Sequence, residues 1–147
     1  MHFDTEESLD CFLAAFENGT WPIADWKHGH HLVMATCYAF ANGRDVALER
    51  ARANIPKYND AQGGKNTEDS GYHETLTVFW IDRVVETMPK SGSRVDAVRH
   101  VLDALAARRD LWREYYSFDI VKSKEARARY MPPDLTFGEG LLAKDAY

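Results

Sequence analysis

The stretch Gly71-Tyr72-His73-Glu74-Thr75-Leu76-Thr77-Val78-Phe79-Trp80 decides how this chain reads. An ionisable pair, His73-Glu74, opens a run whose apolar residues recur at helical spacing as far as Met88. That spacing predicts a helix from about Tyr72 to Met88. On it, His73, Thr77, Trp80 and Val84 fall within about 60° of one another, flanked by Leu76 and Ile81. Much of the circumference is apolar, so this helix is expected to be central in a bundle. The longest and most turn-rich loop, Ala61 to Ser70, leads into it, with Thr67 or Ser70 as the expected cap.

Outward from that loop the pattern stays helical. Asp4-Thr5-Glu6-Glu7 combines capping side chains with acids suited to the positive end of a helix dipole, before Leu9, Phe12, Leu13 and Phe16. Asn18-Gly19 is a stop signal. A second helix runs from about Trp26 to Ala41, with Asp25 as its cap and Asn42-Gly43 as its end. His28, His31, Leu32, Ala35 and Ala39 share a stripe about 100° wide on it, while His30 faces away with Met34 and Cys37. A third helix starts at Asp45, and Pro56 is expected to kink or end it near Asn54. A fifth follows Ser93, a short sixth spans Leu111 to Tyr116, and a last short one opens at Ser123 and reaches Tyr130. The tail beyond Pro133 is expected to pack along the surface through Leu135, Phe137 and Leu141. No stretch alternates with a period of two. The chain therefore reads as all-α, a single-domain helical bundle of about six helices over residues 1–147.

Composition narrows the function classes. The chain has 147 residues, 45% hydrophobic and 28% charged, with a net charge of −5, ordinary values for a globular domain. Basic clusters at Arg108-Arg109 and Lys122 to Arg129 are interrupted by acids, which argues against nucleic acid as a partner. No apolar run approaches the roughly 20 residues of a membrane span, and the acidic start is no secretory segment. Cys11 and Cys37 form no metal or disulfide motif, so a cytoplasmic setting is expected. The aromatic segment Leu111 to Phe118 leaves a homodimer open.

The residues that carry chemistry are histidines. His28 and His31, three residues apart, can lean toward one point, and His73 is expected to face inward from a second helix. Facing bundle helices are a natural place for imidazole and carboxylate ligands. A centre of His28, His31 and His73, completed by Glu74 or water, would leave an open position for catalysis. The motif H-E-x-x-H is absent, because position 77 is threonine. Without metal, His73 with Glu74 or Thr77 could act as an acid–base pair in a pocket of Trp80, Tyr38 and Tyr58. Alternatively each imidazole is a satisfied structural side chain. Cys37 reads as a buried, inert thiol.

His28-x-x-His31-Leu32, Tyr58-Asn59, Asn66-Thr67, Gly71-Tyr72-His73-Glu74-Thr75-x-Thr77-x-Phe79-Trp80, Tyr115-Tyr116-Ser117 and Ser123 to Arg127 are similar to an uncharacterised family of small helical proteins, mostly bacterial. The resemblance implies that His28, His31, His73 and Glu74 belong to the family's shared set. It carries no established activity.

Two functions are thus expected. One is a small metal-dependent enzyme acting on a small-molecule substrate. Its divalent transition metal (zinc, iron, manganese or nickel) is held by His28, His31, His73 and Glu74. Glu74 is the fourth ligand or the general base, and Asn66, Tyr72, Thr77 and Trp80 shape the substrate pocket. The other is a non-enzymatic module that binds a small molecule or a protein, its histidines structural.

Overall fold

Capping chemistry sets most helix starts. In the computed structural model, which describes residues 2–135, Thr5 Oγ1 accepts the Ser8 N–H at 3.0 Å and begins α1 (Glu6–Glu17). Its apolar face buries Leu9, Phe12 and Phe16. Ser93 opens α5 (Arg94–Leu105) by accepting from Asp96 N–H at 3.0 Å, and Ser123 opens α6 (Lys124–Ala128) by accepting from Ala126 N–H at 3.1 Å. These are the caps that the sequence pattern indicates. Between them lie α2 (His28–Asn42), α3 (Arg44–Ala61) and α4 (Glu74–Thr87), with 3-10 turns at Ile23–Asp25 and Leu111–Glu114. The fold is an all-α, single-domain bundle of six helices, with no strand among the described residues.

The centre of the bundle is α2, not α4 as the apolar count predicted. Gly29, His30 and every residue from Leu32 to Ala39 are buried, and α2 packs against α1, α3, α4 and α5. The reason lies in its side chains. Gly29, Ala35, Thr36, Cys37 and Ala39 are small, so neighbouring helices can close on it from all sides. A helix studded with Trp80, Arg83 and Glu86, as α4 is, must keep part of its surface outward. Cys37 is buried, and burial pushes its thiol up to about 12, which makes it an inert core residue.

Other boundaries also differ from expectation. Pro56 does not end α3, which continues to Ala61. Proline removes the N–H that Arg52 C=O would accept, a cost of about 3 kcal/mol in a helix interior. Arg52 is exposed, so solvent can satisfy that carbonyl. Beyond the proline, Tyr58 is buried and donates to Trp21 C=O at 2.6 Å, which rewards continuation. Gln62 then latches the connector, donating to Gly19 C=O at 2.6 Å and accepting from Ile23 N–H at 3.0 Å. Leu111–Glu114 makes a single 3-10 turn, and α6 stops at Ala128. Leu135 N–H donates to Tyr115 C=O at 3.1 Å while its side chain is exposed. Phe137 and Leu141, the other expected tail contacts, lie outside the described residues. No helix of the described residues is long and apolar enough to cross a membrane.

Candidate functional site

His73 is a helix cap. Its backbone is extended (φ −133°, ψ 109°), and its Nδ1 accepts the Leu76 N–H at 3.1 Å. The helix therefore starts at Glu74, two residues later than expected, and neither Thr67 nor Ser70 caps it. An extended cap does not obey the helical wheel that placed His73 in line with Thr77 and Trp80. The other ring nitrogen, Nε2, lies 2.7 Å from Ile120 C=O. With Nδ1 accepting, Nε2 carries the proton and donates, which defines a neutral tautomer. Burial depresses the basicity of His73, with Arg127 adding to the effect and the Ile120 carbonyl opposing it. Both nitrogens of the imidazole are in use within the chain.

The neighbours of His73 are committed in the same way. Glu74 takes a forked ion pair from Arg52 of α3, at 2.9 Å and 2.5 Å, and accepts the Tyr72 hydroxyl at 2.6 Å. Burial works to raise the Glu74 carboxyl, but Arg52 and Tyr72 outweigh it and hold the group below its usual range. That is the direction of a structural carboxylate and away from a general base tuned toward neutrality. Tyr72 is raised by burial and by Glu74. Thr77 Oγ1 donates to His73 C=O at 2.8 Å. Thr75, fully buried, donates to Arg129 C=O at 2.9 Å and accepts from Met131 N–H at 3.0 Å. Asn66 Oδ1 accepts from Asn59 Nδ2 and Tyr72 N–H, while Asn66 Nδ2 donates to Pro56 C=O at 3.0 Å. Asn66 thereby ties the loop to both α3 and the start of α4.

His28 and His31 form a separate group at the start of α2. The His28 ring meets Trp80 edge-on at 4.5 Å between centroids, and the His31 ring lies 4.6 Å from Trp26. His28 Nε2 is buried without a hydrogen-bond partner among the described residues. Burial lowers both histidines. A nearby Leu105 carbonyl opposes the shift at His28, whereas His28 and His30 deepen it at His31, which reaches about 4. His30 is buried against Phe3, Phe12, Trp21 and Trp26, and its Nδ1 accepts the Lys27 N–H at 3.0 Å. It caps α2 from inside the helix, as His73 caps α4 from its end.

The structure sets His28 against Trp80 and His31 against Trp26, and ties Tyr72 to Glu74. Among the described residues no group of three or more His, Cys, Asp or Glu is arranged to hold a metal ion. The tyrosines expected to line a pocket with Trp80 have their hydroxyls in use within the chain. The Tyr58 hydroxyl goes to Trp21, and the Tyr38 hydroxyl donates to Glu17 at 2.5 Å and accepts from Asn54 at 3.0 Å. Two open depressions lie along α3. One, of about 610 Å³, is lined by Asp45, Val46, Glu49, Arg52 and Ala53. The other, of about 280 Å³, is lined by Arg44, Asp45, Leu48, Arg52, Val78 and Tyr130. Neither contains a histidine. No family model, no curated protein and no solved structure matches the chain.

The histidines also fix how stability responds to acid. Each of His28, His30, His31 and His73 binds its proton less readily in the fold than in the unfolded chain. The unfolded state then holds more protons, so stability is full above the unfolded value near 6.5 and falls as pH drops through the window below it. For His31 that window extends down to about 4. His31 as a whole residue is only half-buried, so the loss from it alone is on the order of 2 kcal/mol. Urea midpoints measured between pH 7.5 and 4.5 should fall steadily. A flat profile across that range would contradict the assignment of neutral, packed imidazoles.

Proposed function

We propose that this protein is a non-enzymatic helical binding module whose histidines organise its polar contacts. The observation that carries this reading is the double commitment of His73, Nδ1 to Leu76 N–H and Nε2 to Ile120 C=O. A ligand imidazole must offer a free lone pair, and His73 has none to offer while its cap is made. Glu74, the expected fourth ligand and base, is neutralised by Arg52. Of the two forms of the reading, protein binding is the better supported. Small-molecule sites enclose most of their ligand, whereas both depressions along α3 are open to solvent. The second is lined by Leu48 and Val78 together with Arg44 and Arg52, whose ion-pair partners are Asp82 at 2.7 Å and Glu74 at 2.5 Å.

Thermal melts of untagged protein with added zinc, iron(II), manganese(II) or nickel(II) test the proposal against the metal-enzyme reading. A metal bound only by the native state, at a hundred times its Kd, would contribute about 2.7 kcal/mol and raise Tm by roughly 8 °C. The expected result is no rise with any of the four ions. A saturable rise, together with stoichiometric metal in the purified protein, would overturn the proposal.

A further inference from the structure

We infer that residues 117–134 form a detachable clasp that opens as one unit while the rest of the bundle stays folded. The segment is closed at its neck. Asp134 accepts from the Ser117 N–H at 2.8 Å and from the Ser117 hydroxyl, Leu135 N–H donates to Tyr115 C=O, and the Tyr116 hydroxyl donates to Met131 C=O at 2.7 Å. Apart from the neck and from Tyr130, which reaches Tyr116 and borders the second depression, its polar tethers land on one short stretch, residues 68–75. They are Lys124 on Glu68 at 3.3 Å, Arg127 on Gly71 C=O at 2.7 Å, Ile120 C=O on His73, and Arg129 C=O and Met131 N–H on Thr75. Within the clasp Ile120 and Ala126 are buried, Phe118 and Met131 are half-buried against the core, and α6, five residues long, packs on α4. A loop with closed ends, few buried apolar groups and one attachment line has the properties of a local unfolding unit. Its opening uncovers His73 and Thr75 without disturbing α1, α2, α3 or α5.

Native-state hydrogen exchange on the full chain at low urea tests this. The amides of Ala126, Arg127, Arg129 and Met131 should share one opening free energy and one urea dependence, both below those of Val33 to Ala39 in α2. Two variants separate local from global opening. Leu9→Val, in α1 and remote from the clasp, should speed the α2 amides by about tenfold and leave the four clasp amides unchanged. Thr75→Val, which removes two tethers, should speed the clasp amides by about tenfold. The inference is overturned if Leu9→Val accelerates both sets equally, because the clasp would then exchange only through global unfolding. It is also overturned if Thr75→Val leaves the clasp amides unmoved.

Discussion

Replacing His73 with alanine is expected to destabilise the protein by about 3 kcal/mol in metal-free buffer containing chelator. Two losses add. Removing a helix cap typically costs about 1 kcal/mol, and here Leu76 N–H loses the acceptor that lies 3.1 Å away. The Ile120 carbonyl loses its only side-chain donor in a site where His73 is buried and Ile120 is 0% exposed. That carbonyl keeps the Ser123 N–H at 3.3 Å, so the loss is one hydrogen bond together with the packing of a buried ring, roughly 2 kcal/mol. For a chain of this length the sum lowers Tm by roughly 10 °C. Asparagine separates the two terms, since its side chain can cap the helix but is too short to reach Ile120. His73→Asn should therefore recover about 1 kcal/mol of the loss. Urea melts of the three proteins with chelator present check both values. Full stability of the alanine variant under those conditions would show that His73 does not hold the fold together.

Gly71→Ala is the second large effect, expected at about 3 kcal/mol. Gly71 has a φ of +83°, in the left-handed region where an added Cβ costs about 1–2 kcal/mol. Space is also lacking. An added Cβ would stand 2.4 Å from Lys65 C=O and 2.6 Å from Asn66 Oδ1. Either atom must move, and moving Asn66 breaks its bond to Tyr72 N–H at 3.0 Å and its hold on Pro56 C=O. Gly63 provides the control, because its φ is +88° but nothing lies within 4 Å of an added Cβ. Gly63→Ala should lose only the backbone term, about 1 kcal/mol. Equal losses at the two positions would show that close packing at Gly71 contributes nothing.

Much of the fold was legible from local signals, although Asp25 does not cap α2, Thr67 and Ser70 do not cap α4, and Pro56 does not end α3. Thr5, Ser93 and Ser123 are standard caps a few residues from the groups they satisfy, and each helix they open is present. The site was less legible because its partners are distant in sequence. Arg52 and Glu74 are 22 residues apart, and His73 and Ile120 are 47 apart. No periodicity reports such pairs. His73 was misread for a chemical reason as well. Imidazole is not among the usual capping side chains, so the wheel extended the helix through it and assigned it the face of Trp80. The wheel was right that His30 lies with Met34 and Cys37, all of which are buried. It could not show that Phe3, Phe12 and Trp21 would close around that ring from another part of the chain. Asn66, Tyr72 and Thr77 are expected with Trp80 to shape a substrate pocket; in the structure Thr77 bonds the His73 carbonyl, whereas Tyr72 bonds Glu74 and Asn66. Their role is to brace the start of α4.

The most direct test of the structural role of these histidines is the imidazole ¹⁵N spectrum of His73, recorded with and without stoichiometric zinc(II). The expected spectrum is that of a neutral ring protonated at Nε2, with Nδ1 accepting the Leu76 N–H, unchanged at either nitrogen on adding the metal. A ring that binds zinc through either nitrogen, with its resonance shifting at one equivalent, would contradict it.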